Sequence, residues 1–263
     1  MAVASGTCVK VGVEDGIATV TIDHRPVNAL NRQTMQELRD TLQALEAEPS
    51  ARVVILTGAG SIAFVAGADI KEVSELRTPQ EAQQVAAMGQ QVFLQLQRLS
   101  KPVIAAINGV CLGGGLELAM ACHLRISGDR VRFGQPEVNL GIIPGWGGTQ
   151  RLVRLIGRAK ATEWILAGDM VMASEAYRLG LVNQVVPQDQ VLKVAKDLAR
   201  KLAAKSRIAV REALRSIEAA WNLSLEAGLA AEAEAFGRVA ASEDSQEGIR
   251  AFLEKRQPQF KDR

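Results

Sequence analysis

The stretch VIAAINGVCLGGGLELAMAC, residues 103–122, decides how the chain folds. It begins with an apolar run, continues through three consecutive glycines at 113–115 and ends in an apolar helical pattern. A weakly charged segment of twenty residues also has the length of a transmembrane helix. Asn108, the glycines and Glu117 would be costly inside a bilayer, so the segment predicts a buried strand, a turn and a helix.

Glu117 is the single charged residue of this stretch. Burial without a counterion raises the pKa of a carboxyl group, which would make Glu117 a proton carrier near neutral pH. A second interpretation is structural, because an acid in the first turn of a helix interacts favourably with the helix dipole, by roughly 0.3–1 kcal/mol. The stretch alone allows both interpretations.

The glycine triplet indicates an anion-binding turn. A strand followed by glycines and a helix start leaves several backbone N–H groups unpaired, and such groups bind anions. The pattern has neither the GK[ST] of a P-loop nor the GxGxxG spacing of a dinucleotide turn. It therefore favours a transient anion, an oxyanion or enolate that forms on a carbonyl during reaction. Close packing of a helix on a strand would also explain the glycines.

Neighbouring segments extend the same architecture. Short apolar runs at RVVILTG (52–58) and LRIS (124–127) predict buried strands, and the helical patterns between them imply parallel strands joined by crossovers. Lys10 to Asp23 predicts two further strands. Helices are expected from Thr34, a possible cap, and after Pro79.

The character of the chain changes near residue 187. Beyond that point only amphipathic helical stripes occur, with no strand pattern between them. We therefore expect an α/β catalytic core over residues 1–187 and an all-helical region over residues 188–263.

Composition and charge argue against several classes of function. The 263 residues carry 31 Lys+Arg and 29 Asp+Glu, so no strong field suggests nucleic acid or a membrane as the main partner. Two histidines, and three cysteines without CxxC spacing, argue against a zinc site or a disulfide framework. The N-terminal MAVASGTCVKVGVEDG lacks the pattern of a cleavable targeting segment. We expect a cytoplasmic protein with no bound metal.

Two more segments carry candidate functional residues. The hexapeptide AGADIK, residues 66–71, follows a buried strand and could supply a second unpaired backbone amide. The segment 134–152 places Glu137 directly after Pro136, among apolar residues and glycines. A Pro-Glu pair is also an ordinary helix start, so this dipeptide leaves a structural interpretation open.

Together these segments resemble those of the crotonase superfamily, the enoyl-CoA hydratase/isomerase family. The resemblance extends from about residue 10 to the C-terminus, and residues 66–71, 108–119 and 135–151 carry it. It implies a spiral of ββα repeats and a helical C-terminal region that builds homotrimers, commonly paired into hexamers.

The resemblance also implies an active site. The backbone N–H groups of Ala68 and Gly114 match the oxyanion hole for a CoA thioester carbonyl, and Glu117 and Glu137 match the catalytic glutamates of hydratases. These residues imply reversible hydration of a trans-2-enoyl-CoA to a 3-hydroxyacyl-CoA, in which one carboxyl group is ionised and the other neutral. Glu137 would act as base and protonate the α-carbon, while Glu117 would hold the water. Coenzyme A is part of the substrate, and no separate cofactor is expected.

Further positions match residues that hold the acyl-CoA substrate in the family. For Arg25 and Lys71 the sequence alone favours a solvated charge, and the resemblance reverses that preference. The two C-terminal candidates would reach a CoA, in some relatives across a subunit contact. The candidates are Arg25, Val27, Ala29, Ala66, Asp69, Ile70, Lys71, Leu112, Gly113, Pro136, Gly145, Trp146, Phe252 and Lys255.

Trp146 is a departure, since the family often has a smaller residue there. Its bulk predicts a short-chain substrate such as crotonyl-CoA, although core packing would also explain it. Alternatives are a hydratase for a branched or dicarboxylic substrate such as methylglutaconyl-CoA, an enoyl-CoA isomerase, and an acyl-CoA-binding protein without turnover. An RNA-binding relative is a further alternative, but a net charge of +2 with 4% aromatic residues provides no basic stacking platform.

Overall fold

The segment 103–122 lies across two sheets. The structure is a computed structural model and describes residues 5–263; residues 1–4, on which part of the targeting-segment prediction falls, lie outside the described residues. The larger sheet has six strands, of which only the first two pair antiparallel. In spatial order they are β1 (Val9–Glu14), β2 (Ile17–Ile22), β3 (Val53–Gly58), β5 (Val103–Ile107), β7 (Leu124–Gly128) and β10 (Gln184–Val186).

The smaller sheet consists of four short strands. These are β4 (Ala63–Val65), β6 (Val110–Leu112), β8 (Arg132–Gly134) and β9 (Val171–Met172), in that order. Three consecutive repeats begin with β3, β5 and β7. In each repeat the first strand joins the large sheet, the second strand joins the small sheet, and helical structure follows. This repetition confirms the expected spiral of ββα units.

Helices cover both faces of the large sheet. The helices are α1 (Arg32–Ala47), α2 (Ile70–Ser74), α3 (Pro79–Gln97), α4 (Gly114–Ala121), α5 (Gly148–Ile156), α6 (Arg158–Ala167), α7 (Ala173–Arg178), α8 (Val191–Ala203), α9 (Arg207–Ala219), α10 (Leu225–Ala240) and α11 (Glu243–Leu253), with 3₁₀ turns at Pro136–Leu140 and Gln188–Gln190.

Two local expectations need correction. The structure inserts β6 between the strand and the glycine turn of 103–122, because the chain turns at Asn108-Gly109 to reach the second sheet. The cap of α1 is Asn31, whose side chain accepts from the Thr34 backbone N–H at 2.8 Å; Thr34 itself lies inside the helix. An Asn at this position satisfies an otherwise unpaired amide of the first turn.

The first helix of the C-terminal region packs on the core. Val191, Ala195 and Ala199 of α8 lie in one buried cluster with Ile55 of β3 and Ile104 of β5. Burial of this face would stabilise the fold by about 25 cal/mol per Å² of apolar surface. The boundary at residue 187 remains a prediction. In residues 5–263 no helix has the length and apolarity needed to cross a membrane.

Candidate active site

Two backbone amides that follow neighbouring strands of the smaller sheet, β4 and β6, lie close together. α4 begins at Gly114, so the N–H of this residue has no partner within the helix. Leu30 bridges to the loop at Ala68 through the Gly67 carbonyl and the Asp69 N–H, which leaves the Ala68 N–H directed away from Leu30. An ideal Cβ built on Gly114 would lie 3.4 Å from the Ala68 nitrogen. The two predicted oxyanion-hole donors are therefore neighbours.

Glu117 lies in the first turn of α4 and is 2% exposed. Its Oε1 atom accepts hydrogen bonds from the backbone N–H groups of Trp146, at 2.8 Å, and Gly148, at 2.7 Å. Burial above all, and the nearby carboxylate of Glu137, raise the pKa of Glu117 to about 7 against the opposing effects of the two amides and Arg151. The proton-carrier interpretation of Glu117 is the one that this geometry favours.

Glu137 lies in the 3₁₀ turn that follows β8. Its Oε1 would be 3.0 Å from an ideal Cβ on Gly113, the residue that caps α4 at a φ of +50°. A side chain at Gly113 would therefore be strained by the backbone and would crowd this carboxyl group. Burial raises the pKa of Glu137 to about 7 as well.

Gln135 is a residue to which the sequence interpretation assigned no role. It is completely buried, and in the amide orientation that satisfies its hydrogen bonds its nitrogen donates to both carboxylate oxygens of Glu137, at 2.9 and 3.1 Å. The available signal was its place two residues before Glu137, but sequence spacing does not show which way an amide in an irregular turn points. Burial makes this donor strong, since no water competes with it.

The arrangement combines two acids of similar pKa with two backbone N–H groups for which no acceptor occurs among residues 5–263. Two carboxyl groups with pKa values near 7 in one site share a proton around neutral pH, so one can accept a proton while the other donates one. Paired amides at a helix start stabilise negative charge on a carbonyl oxygen. Such a site suits addition of water across a double bond conjugated to a carbonyl.

Comparison with known proteins identifies the family. The profile of the enoyl-CoA hydratase/isomerase family matches residues 12–263. The chain belongs to this family. A crotonyl-CoA hydratase of Syntrophomonas wolfei is 42% identical over 248 residues, which are 94% of this chain and 95% of that protein. A short-chain-enoyl-CoA hydratase of Clostridium acetobutylicum is 44% identical over 252 residues, 95% of this chain and 96% of that protein.

Solved structures give the same result. The crystal structure of an enoyl-CoA hydratase from Bacillus anthracis superposes with a TM-score of 0.93 at 39% identity, covering 98% of this chain and 100% of that one. The crotonase fold expected from the sequence is thereby confirmed, and so is the membership of a family of hydro-lyases.

In this enoyl-CoA hydratase/isomerase family member, the predicted CoA-contacting loops lie side by side. The Val27 carbonyl accepts from the Ala66 N–H at 3.1 Å, and the Ala29 carbonyl contacts His24 Nδ1 at 2.6 Å. Arg25 is 89% exposed, with Asp23 at 4.0 Å as its ion-pair partner. The structure thus brings the loop 25–29 against the segment 66–71.

The segment 66–71 combines a helix start with a free cation. Asp69 caps α2 by accepting from the Lys71 N–H at 2.9 Å. Ile70 is 52% exposed, and the exposed Lys71 side chain makes no ion pair with another described residue. Both side chains are therefore accessible to a ligand.

The remaining candidates divide into two groups. Leu112, Gly113, Pro136, Gly145 and Trp146 belong to the segments that frame the two glutamates, and Trp146 donates its backbone N–H to one of them. Phe252, 82% exposed, and Lys255 lie at the end of α11. Within residues 5–263 of a single chain, neither shares a hydrogen bond or a pocket with the glutamates or the segment 66–71.

Proposed function

We propose that this enzyme catalyses the reversible hydration of short-chain trans-2-enoyl-CoA thioesters to 3-hydroxyacyl-CoA. The observation that carries the proposal is the convergence of buried Glu117 and half-buried Glu137, both of raised pKa, with the neighbouring backbone N–H groups of Ala68 and Gly114. The thioester carbonyl accepts hydrogen bonds from Ala68 and Gly114, which stabilise the enolate as it develops. One such donor typically accounts for about 3 kcal/mol of the barrier.

The two acids then divide the proton transfers. The two backbone N–H groups on Oε1 of Glu117 favour its ionised form, so Glu117 accepts a proton from the bound water as the oxygen attacks Cβ. Neutral Glu137 delivers its proton to Cα as the double bond becomes single, and proton exchange restores the pair. This division differs from the sequence interpretation, which gave both transfers to Glu137. No metal and no cofactor take part in these steps.

The proposal is tested with crotonyl-CoA and the purified chain. Hydration removes the conjugated-thioester absorbance, and we expect Glu117→Gln and Glu137→Gln each to lower the rate by roughly 10²–10⁴-fold. Near-wild-type turnover by either folded variant would refute the assignment. A non-catalytic acyl-CoA-binding protein would instead bind crotonyl-CoA with its absorbance unchanged.

Trp146 supports a short acyl chain. Its ring is buried, packs edge-on against Phe93 at 5.7 Å between ring centroids, and closes a pocket beside Ala68 whose interior volume is about 40 Å³. A space of this size holds only a few water-sized groups, at roughly 10–15 Å³ each. We expect much faster hydration of crotonyl-CoA than of hexadecenoyl-CoA; comparable rates would contradict the short-chain preference.

A dicarboxylic substrate receives less support from this pocket. Arg32 lines it, as a site for a second carboxylate would require, but Asp69 and Glu72 line it too. Two acids and one base leave no net positive charge to attract an anionic tail. Dehydroadipyl-CoA, the substrate type named for a relative in Escherichia coli, is the comparison to include in the substrate panel.

We further propose a homotrimer, or a dimer of trimers, in the cytoplasm. Large apolar side chains remain exposed on the C-terminal helices, among them Leu229, 55% exposed, and Phe236, 73% exposed, on α10. An exposed apolar patch of this kind is typical of a subunit contact. In such an assembly Phe252 and Lys255 could reach a CoA bound to a neighbouring subunit. Sedimentation of the purified protein as single chains would rule out the trimer.

A further inference from the structure

A buried arginine lies behind the loop that binds Glu117. Arg151 is in the first turn of α5, and its side chain is 7% exposed. A guanidinium group stays charged at any physiological pH and offers five N–H donors. Burial of such a charge is costly unless acceptors and counterions surround it. The buried charge of Arg151 must therefore be offset by specific partners inside the protein.

The guanidinium group fastens the loop 146–148. Its Nη1 atom donates to the Trp146 carbonyl at 2.9 Å, whereas the Trp146 N–H donates to Glu117. Gly147, at a φ of +113°, lies flat against the same guanidinium, and a Cβ at this position would overlap it. Both donors of Glu117 are therefore carried by a loop that Arg151 holds from behind.

A second connection leads from Arg151 to the C-terminal helices. Arg151 Nε donates to Gln97 Oε1 at 2.8 Å, at the end of α3. The amide nitrogen of Gln97 donates in turn to both carboxylate oxygens of Glu218 on α9, at 2.8 and 3.0 Å. The series Glu218, Gln97, Arg151 and the loop 146–148 thus ends at Glu117.

Nearby charged groups act on the pKa of Glu117 in opposite directions. The titratable groups that act on Glu117 are Glu137 and Arg151, and Arg151 favours the ionised form. Those that act on Arg151 are Glu117, Glu218, the Cys122 thiol and Arg154. Glu218 is thus the counterion of Arg151 on the side away from the active site.

We infer that Arg151 is a positioning residue for hydration, which holds the loop that orients Glu117, and that Gln97 and Glu218 couple it to helix α9. This inference rests on the proposed hydratase function. It assigns helix α9 of the C-terminal region a part in positioning the catalytic base of its own chain.

The first test removes the charge of Arg151. We expect Arg151→Gln to lower kcat for crotonyl-CoA about tenfold with little change in KM, and to move the acid limb of the pH profile upward by about one unit. The matched control is Arg154→Gln on the exposed side of the same helix, which should leave both unchanged. A folded Arg151→Gln variant with an unshifted acid limb would overturn the inference.

The second test breaks the connection without changing any charge. Gln97→Leu removes the link between Arg151 and Glu218, so we expect kcat to fall several-fold while the acid limb stays in place. Gln95→Leu, on the same helix, removes only a bond to the Arg39 carbonyl and serves as the control. Equal activity of the two variants would show that Gln97 plays no part.

The Glu218→Gln variant distinguishes coupling of Glu218 to Glu117 from a general disturbance of the structure. The new amide can still accept from Gln97, but an anion is lost, so the acid limb should move slightly downward, opposite to the shift in Arg151→Gln. An infrared titration of the carboxyl group, referenced to Glu117→Gln, measures these shifts without substrate. It therefore stays decisive if the wild-type enzyme fails to hydrate crotonyl-CoA, which would refute the proposed function instead. Shifts of the same sign in both variants would overturn the coupling.

Discussion

The start of α4 and the 3₁₀ turn at 136–140 hold chemically identical groups in different ways. Glu117 and Glu137 both have a pKa raised to about 7 by burial. Backbone amides of the loop 146–148 bind Glu117, whereas the Gln135 side chain binds Glu137. A group held by a side chain can be retuned by one substitution, but a group held by backbone amides changes only when the loop moves.

The strongest disturbance of the α4 region is expected from Gly114→Ala. The added methyl group would lie 2.6 Å from the Trp146 ring and 3.4 Å from the Ala68 nitrogen, in the space that a carbonyl oxygen would need. We expect hydration to slow by roughly 10²–10³-fold, the usual effect of losing one oxyanion donor. Kinetics with crotonyl-CoA measure it. Gly12→Ala in β1, where nothing lies within 4 Å, should behave as wild type.

The next largest effect is expected at the 3₁₀ turn, where the Gln135 side chain binds Glu137. Gln135→Leu removes the donor of Glu137 while keeping an apolar side chain of similar size, so the pKa of Glu137 should rise above its present value. We expect about a tenfold loss of kcat/KM, within the range of general acid–base catalysis. Infrared titration should show a shift for Glu137 and a much smaller one for Glu117. A pKa shift confined to Glu117 would contradict the assignment of Gln135 as the side chain that holds Glu137.

The wild-type pH profile tests whether the two regions act as a unit. Hydration needs one carboxyl group ionised and the other neutral, so with both pKa values near 7 we expect a bell-shaped kcat/KM with its maximum near neutral pH. The rate should fall about tenfold per pH unit on each side. A flat profile between pH 5 and pH 9 would contradict the shared proton.

The pH dependence of the free energy of unfolding should show two smaller effects of opposite sign, one from Glu117 and one from His123. Burial raises the pKa of Glu117 from 4.5 to about 7, so the free energy of unfolding should fall as pH rises through this window. Burial lowers the pKa of His123 from 6.5 to about 4, so its contribution is present above 6.5 and is lost as pH falls toward 4. Each shift corresponds to about 3 kcal/mol at most. Chemical denaturation of Glu117→Gln and His123→Gln at several pH values isolates each part.

His123 links two elements of the fold through both of its ring nitrogens. One of its ring nitrogens accepts from the Val103 N–H at 2.9 Å and the other contacts the Gln97 carbonyl at 3.1 Å. It therefore joins β5 to the end of α3 and has no free nitrogen for catalysis. One ring nitrogen of His24, Nδ1, contacts the Ala29 carbonyl. Both histidines fit the structural role that a reaction run by two glutamates leaves them.

The strands divide into those that the sequence shows and those that it conceals. β3 and β5, buried throughout, read as apolar runs of five or six residues. The four strands of the second sheet have only two or three residues each, too short for any periodicity to appear. The segment 59–71 accordingly shows no strand pattern, although it contains β4.

Local order along the chain was enough to place the parallel strands and the glycine turn, because burial and backbone conformation leave a direct mark on residue choice. The residues alone left the roles of Glu117 and Glu137 open, and the resemblance to the crotonase superfamily implied them. The meeting of Ala68 with Gly114, the amide of Gln135 on Glu137 and the link from Arg151 to Glu218 join residues far apart in the sequence, or depend on which way a side chain points. Such contacts arise only when two sheets and their helices pack, so no pattern within one segment encodes them.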